Sequence, residues 1–163
     1  MKKIILSALF LAGISTGALA QNLATTTMTV TATVAPACTA NATVTAAFGS
    51  FAERTSEKST TTALNVSCTT ALTDPPTVKF GGGQNQQGTD RFMRGTNNAV
   101  NRLRYDLKNG ATLIGVNAND GVPMTSTGSG GYRLDFSAVI LASYQTNAVP
   151  DSYTDTVKLT INW

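Results

Sequence analysis

From Thr156 to Trp163 polar and apolar side chains alternate without a fault. A period of two puts Val157, Leu159, Ile161 and Trp163 on one face and Thr156, Lys158, Thr160 and Asn162 on the other, the pattern of a half-buried antiparallel strand. Because the alternation runs to the last residue, this edge is expected to belong to the core or to an interface. Residues 27–34 repeat the pattern, with Met28, Val30, Ala32 and Val34 on one face and threonines on the other. Strands at both ends of the chain point toward assembly.

Ahead of the first alternating run stand Met1-Lys2-Lys3, an apolar stretch from Ile4 to about Ile14, and Ala18-Leu19-Ala20. This is the order of a secretory signal, so residues 1–20 are expected to be removed and the mature chain to begin at Gln21. The apolar stretch is shorter than the ~20 residues a spanning helix needs, so no membrane anchor is expected. What remains suits one compact domain. The chain holds 12 Lys and Arg against 9 Asp and Glu. Loss of Lys2 and Lys3 leaves a nearly neutral protein, without the concentrated basic face that nucleic acid requires.

Two cysteines, Cys38 and Cys68, remain in a chain addressed to an oxidising compartment, and they are expected to form one disulfide. Such a bridge closes a loop of about 30 residues and restricts the unfolded chain by roughly 3–4 kcal/mol. Neither cysteine has a second cysteine nearby, and the chain contains no histidine. No zinc site and no cofactor are therefore expected.

Between the two ends the chain reads as a series of short strands. Residues 43–51 form one, broken at Gly49. A charged, Ser/Thr-rich stretch at 53–61 reads as a loop. Residues 62–68 then turn Leu64, Val66 and Cys68 inward, so that a disulfide to Cys38 would tie two layers together. Pro75-Pro76 forces a turn before 77–80, and the Gly81 to Gly88 segment is loop. Leu103, Tyr105 and Leu107 share a face, and Asn109-Gly110 gives a hairpin signal that pairs them with 111–116. A long polar loop through Gly131 precedes the strand at 132–140. Turn chemistry at this spacing, with no helical period, predicts an all-β sandwich.

Catalytic constellations are hard to build. Without histidine there is no Ser-His-Asp or Cys-His activation. The aspartates at 90, 106, 120, 135, 151 and 155 are dispersed, and Asp155 reads as a turn or hydrogen-bonding residue. Arg91, Arg94, Arg102 and Arg104, beside Phe92 and Tyr105, read as solvated strand faces. No enzyme is expected.

Cys38, Phe48-Gly49, Val66-Ser67-Cys68, Leu103 to Leu107, and Tyr153 to Val157 with the closing Trp163 together resemble the spore coat protein U domain, over about residues 27–163. That family includes the subunits of archaic, Csu-type chaperone-usher pili. The resemblance implies an immunoglobulin-like β-sandwich lacking one strand, which a neighbouring subunit or a chaperone supplies. It implies a donor segment at residues 21–37, with Met28, Val30, Ala32 and Val34 as plug residues, ahead of a pilin domain at 38–163. The C-terminal strand, with Val157, Leu159, Ile161 and Trp163, becomes core or chaperone contact. The implied partners are a periplasmic chaperone, an outer-membrane usher and other copies of this or related subunits. The implied destination, through the periplasm, is a surface pilus acting in adhesion and biofilm formation. The alternatives are a non-polymerising secreted coat or matrix protein of the same family and a small carbohydrate-binding module.

Overall fold

The computed structural model describes residues 26–41, 43–52, 54–116 and 121–163. The signal at 1–20 and the first residues of the expected donor segment, 21–25, lie outside the described residues. The chain divides into two units, Met1–Thr33 and Val34–Trp163. In the first, residues 26–33 form no strand, and Met28 and Val30 are 84% and 78% exposed. The strand expected at 27–34 is thus not formed. Alternation selects a face, but a strand exists only through a ladder, and this segment has none among the described residues.

The second unit holds strands β1 (Cys38–Ala40), β2 (Lys58–Cys68), β3 (Thr77–Phe80), β4 (Arg91–Gly95), β5 (Arg102–Asn109), β6 (Thr112–Leu113), β7 (Val122–Pro123), β8 (Thr125–Gly128) and β9 (Gly131–Ile140). A single helical turn, α1 (Ala142–Gln145), leads to β10 (Tyr153–Thr154) and β11 (Leu159–Asn162). The large sheet runs β1-β2-β9-β5-β4-β10, with β6 on β5 and β8 on β9, and the small sheet runs β11-β3-β7. All these pairings are antiparallel. Inward residues of the two sheets enclose one core: Leu64 and Val66 of β2, Leu103, Tyr105 and Leu107 of β5, and Leu134 and Phe136 of β9 face Val78 and Phe80 of β3. Phe80 meets Phe136 edge-on with ring centroids 5.0 Å apart, which joins the two layers. The fold is an immunoglobulin-like all-β sandwich.

Several local expectations change. Strand β2 begins at Lys58, inside the stretch read as loop, because its ladder with β9 continues from Ser67↔Gly131 to Lys58↔Ile140. A long partner strand outweighs the weak local signal of Ser and Thr. The polar loop before residue 132 contains β7 and β8, and β8 pairs with β9 while all four of its residues stay exposed. The β5–β6 hairpin turns at Gly110-Ala111, one residue later than the dipeptide signal, because Asn109 pairs with Thr112. Gly110 has φ +58° and Ala111 is not in the positive region, as expected where the first central position of a two-residue loop must be glycine. Cys38 and Cys68 are disulfide-bonded as expected. However, they are directly opposed residues of neighbouring strands in one sheet, so the bridge staples β1 to β2 and does not cross between layers.

Candidate functional site

The decisive geometry lies along residues 153–162. Every second residue from Tyr153 to Ile161 is half-buried and its neighbours are exposed, so one face is shared along the whole run. The backbone nevertheless changes sheets. Tyr153 and Thr154 pair with Gly95 and Arg94 of β4 in the large sheet, and Leu159 to Asn162 pair with Phe80 to Thr77 of β3 in the small one. Between them the chain bonds to the loop after β3, with Gly81 N–H donating to Lys158 O at 2.9 Å and Gln84 N–H to Thr156 O at 3.0 Å.

Asp155 secures this crossover. Its carboxylate accepts the Tyr105 hydroxyl at 2.7 Å, the Asn85 backbone N–H at 3.2 Å and the Asn85 side-chain amide at 3.0 Å. Burial, aided by the hydrogen bond to Asp155, pushes the Tyr105 phenol well above its ordinary pKa and keeps it neutral. Gly83, at φ +87°, makes room for that carboxylate, since a side chain there would collide with Asp155. The hydrogen-bonding role read for Asp155 is therefore observed.

Arg91 corrects the reading of solvated strand arginines, since it is only 3% exposed. Its guanidinium donates to the carbonyls of Gly81 (3.0 Å), Ile114 (2.6 Å) and Gly115 (3.0 Å), and burial lowers its pKa. It clips the loop after β3 to the segment after β6. Nothing in the local pattern Arg91-Phe92-Met93-Arg94 distinguishes this inward arginine from the exposed Arg94.

Opposite the crossover runs residues 43–48. Val44, Ala46 and Phe48 are half-buried against the core while Thr43, Thr45 and Ala47 are exposed, so the expected period of two is present. The expected strand is not, because no hydrogen bond among the described residues joins 44–51 to a neighbour. Between this segment and residues 153–159 lies an open groove of about 390 Å³, floored by Tyr105, Leu107, Phe136 and Ala138. The floor is already covered, each of these residues being 2–5% exposed. What stands open is the apolar side of the two walls, Val44, Ala46 and Phe48 facing Val157 and Leu159. Strand β11 pairs with β3 on one edge, and its other edge has no partner among the described residues.

Of the residues expected to matter, Val157, Leu159 and Ile161 are half-buried along the crossover, and Val157 and Leu159 line the groove. Trp163 shares their parity but is 60% exposed, so of the two roles expected for it, core or chaperone contact, it does not fill the first in this chain. It lies beyond Asn162, where the ladder with β3 ends. Met28, Val30, Ala32 and Val34 are all exposed, Val34 by 88%. The groove wall at 43–48 and the floor from β5 and β9 were not expected as site residues. The alternation of Val44, Ala46 and Phe48 was the available signal for the wall.

The fold and groove together define a class, that of all-β sandwiches whose small sheet stops at an open edge over covered core. The sequence matches the Spore Coat Protein U domain over residues 24–160, and the chain belongs to that family. Among solved structures it is similar to a chain of the CsuC-CsuE chaperone-tip adhesion subunit pre-assembly complex from archaic chaperone-usher Csu pili of Acinetobacter baumannii. There the identity is 20% and the TM-score 0.52, over 80% of this chain and 40% of that one. A more distant likeness is to a chain of a chaperone-tip adhesin complex of CFA/I fimbriae biogenesis, at 11% identity and TM-score 0.36 over 64% of this chain and 34% of that one. This chain thus spans less than half the length of either. No curated protein matches it by sequence.

Proposed function

We propose that this chain is a structural subunit of an archaic chaperone-usher pilus, and that its groove accepts the N-terminal segment of another copy or of a related subunit. The observation that carries this is one groove flanked by two extended walls, 44–48 with no hydrogen bond among the described residues and 153–159 bonded only to β4, β3 and the loop after β3, in a chain whose N-terminal segment is itself an exposed alternating run. An inserted strand would bond to the free edge of β11 on one side and to 43–48 on the other, extending the small sheet by two strands. Its alternate side chains, Met28, Val30, Ala32 and Val34, would meet Val157, Leu159, Val44 and Phe48.

Magnitudes say which interaction decides. Burying Met28, Val30 and Val34 yields roughly 5–9 kcal/mol at 1.5–3 kcal/mol each. Fixing the backbone of residues 27–34 costs about 1–2 kcal/mol per residue, which is of the same size or larger. Side chains alone therefore set register, and the ladder on two edges supplies the net affinity. Before assembly a periplasmic chaperone would occupy the same groove, and an outer-membrane usher would exchange it for the next subunit. Family membership and the fold shared with a chaperone-bound tip subunit support this route, with export to a surface pilus used in adhesion and biofilm formation.

The test is deletion of residues 21–34 with the chaperone co-expressed. The shortened chain is expected as a soluble one-to-one chaperone complex that cannot extend a fibre, and a peptide of residues 21–34 is expected to displace the chaperone. Val30→Asp should keep the chaperone complex and block polymerisation, since its carboxylate would have to enter the apolar groove. A full-length protein that purifies as a folded monomer without chaperone, residues 27–34 paired in its own sheet, would refute the proposal in favour of a non-polymerising secreted protein.

A further inference from the structure

The N-terminal segment joins the domain at Val34, and four residues later the chain reaches Cys38. Two hydrogen bonds hold this junction, Thr69 N–H to Ala37 O at 2.9 Å and Ala37 N–H to the Thr69 hydroxyl at 3.2 Å. From Cys38 the chain runs through the three residues of β1, then bonds twice to Asn65, with Asn41 N–H donating to Asn65 O at 3.1 Å and Asn65 N–H donating to Asn41 Oδ1 at 2.9 Å, and becomes the groove wall at 43–48. Within the domain, then, the point where tension would enter from the chain's own arm lies directly upstream of the wall that would grip a neighbour's.

From this topology we infer that the Cys38–Cys68 disulfide diverts tension arriving through the arm into β2, and so keeps that tension off the groove wall. The inference rests on the proposal that the groove holds another subunit's arm. Without the bridge, a pull on Val34 loads β1 from its end and opens its three residue pairs one after another. It then lifts residues 44–51, which have no hydrogen bonds of their own to resist. One wall would leave, and with it half of the ladder on the inserted strand. With the bridge, the pull crosses at Cys38 to Cys68, the end of an eleven-residue strand that pairs with β9 from Lys58 to Ser67. Residues 39–57, the groove wall among them, drop out of the path. The bridge therefore has a role that depends on where force is applied, which a general stabiliser does not.

The experiment fills the groove of the oxidised full-length subunit with a peptide of residues 21–34 and stretches it between a handle on that peptide and one at Gln21. Reductant is added after filling, so the domain need not fold in the reduced state, and a Cys38→Ser/Cys68→Ser variant serves as a second sample. The oxidised subunit should release the peptide in one step. The reduced subunit should first lengthen by at most about 45–50 Å, the extended span of residues 38–51 at ~3.4 Å each before their separation in the fold is subtracted, and then release it after a shorter lifetime at equal load. With the handle moved from Gln21 to Trp163, reduction should leave the lifetime unchanged. Equal release from Gln21 in both redox states overturns the inference, as does an equal shortening from both attachment points. A peptide that never holds load in the oxidised subunit overturns the proposed function as well.

Discussion

Replacing Tyr105 by Phe removes one oxygen from the polar lock beneath the crossover and leaves the ring in place. Tyr105 is 5% exposed, and its hydroxyl lies 2.7 Å from the Asp155 carboxylate. A hydrogen bond to a charged group contributes about 1.5–3 kcal/mol. Asp155 is half-exposed and keeps both bonds from Asn85, so the lower end applies and Y105F should cost ~1.5 kcal/mol at neutral pH. The pH dependence is the sharper signature. Burial raises the folded-state pKa of this phenol above its ordinary value of 10.0, so the stabilisation is complete below that value and is lost as pH rises above it, where the unfolded phenol ionises first. The loss runs at about 1.4 kcal/mol per pH unit. Phenylalanine has no such loss, so the gap between wild type and Y105F should close about one unit higher, near pH 11. Urea unfolding of both oxidised proteins with the 21–34 peptide saturating, from pH 7 to 11, measures this. A gap that stays constant across that range would refute the buried, neutral phenol.

Three other expectations follow from the same fold. Intact mass before and after alkylation should find no free thiol in secreted protein until it is reduced, and two alkylated cysteines in native material would remove the β1–β2 staple. Replacing both Leu159 and Ile161 with Asp should deplete the subunit from the periplasm, because two carboxylates along the crossover cost about 2 kcal/mol or more once the groove is filled. Normal surface fibres from that variant would show that this face is never covered. Asp151 accepts bonds from the backbone N–H groups of Asn97, Asn98 and Ser152 and from the side-chain amides of Asn97 and Asn101, which hold its pKa down at about 2. Its contribution is present above the ordinary aspartate value and lost as pH falls from about 4 toward 2. Asp151→Asn should flatten the acid limb of a stability–pH curve, and an unchanged limb would contradict the bonding seen at this turn.

Much of the core could be read directly from period two. Leu64, Val66 and Cys68, and Leu103, Tyr105 and Leu107, are all buried on the face their spacing assigns. The same pattern could not tell how far a strand extends, because extent is set by the partner. Strand β2 reaches back to Lys58 since β9 is there to receive it, while the equally regular 43–48 ends as a wall without a ladder among the described residues. Arg91 and Arg94 illustrate a second limit. Both are arginines in one short strand, and which of them is buried depends on carbonyls from Gly81, Ile114 and Gly115, contributed by segments distant in the sequence.

Residues 27–34 and 156–163 show why the site itself was only half legible. Both alternate cleanly, and the difference between them lies in the available edges. The C-terminal run finds β3, and Tyr153 and Thr154 just ahead of it find β4, so the chain changes sheets there, held at the crossover by Asp155. The N-terminal run has no ladder and leaves its apolar face in water, an arrangement that disfavours the isolated chain. A groove whose two walls each keep an open edge and an arm with an unpartnered face are complementary deficits of one sequence. If the short link from Val34 to Cys38 cannot carry the arm back into its own groove, the two deficits can be relieved together only between molecules. Appending residues 21–34 after Trp163 through a flexible linker separates the alternatives. An added strand following β11 could turn back along its free edge, so this chain should become a stable monomer that neither needs the chaperone nor polymerises. If it still polymerises or still requires the chaperone, the groove is not the place where the arm binds.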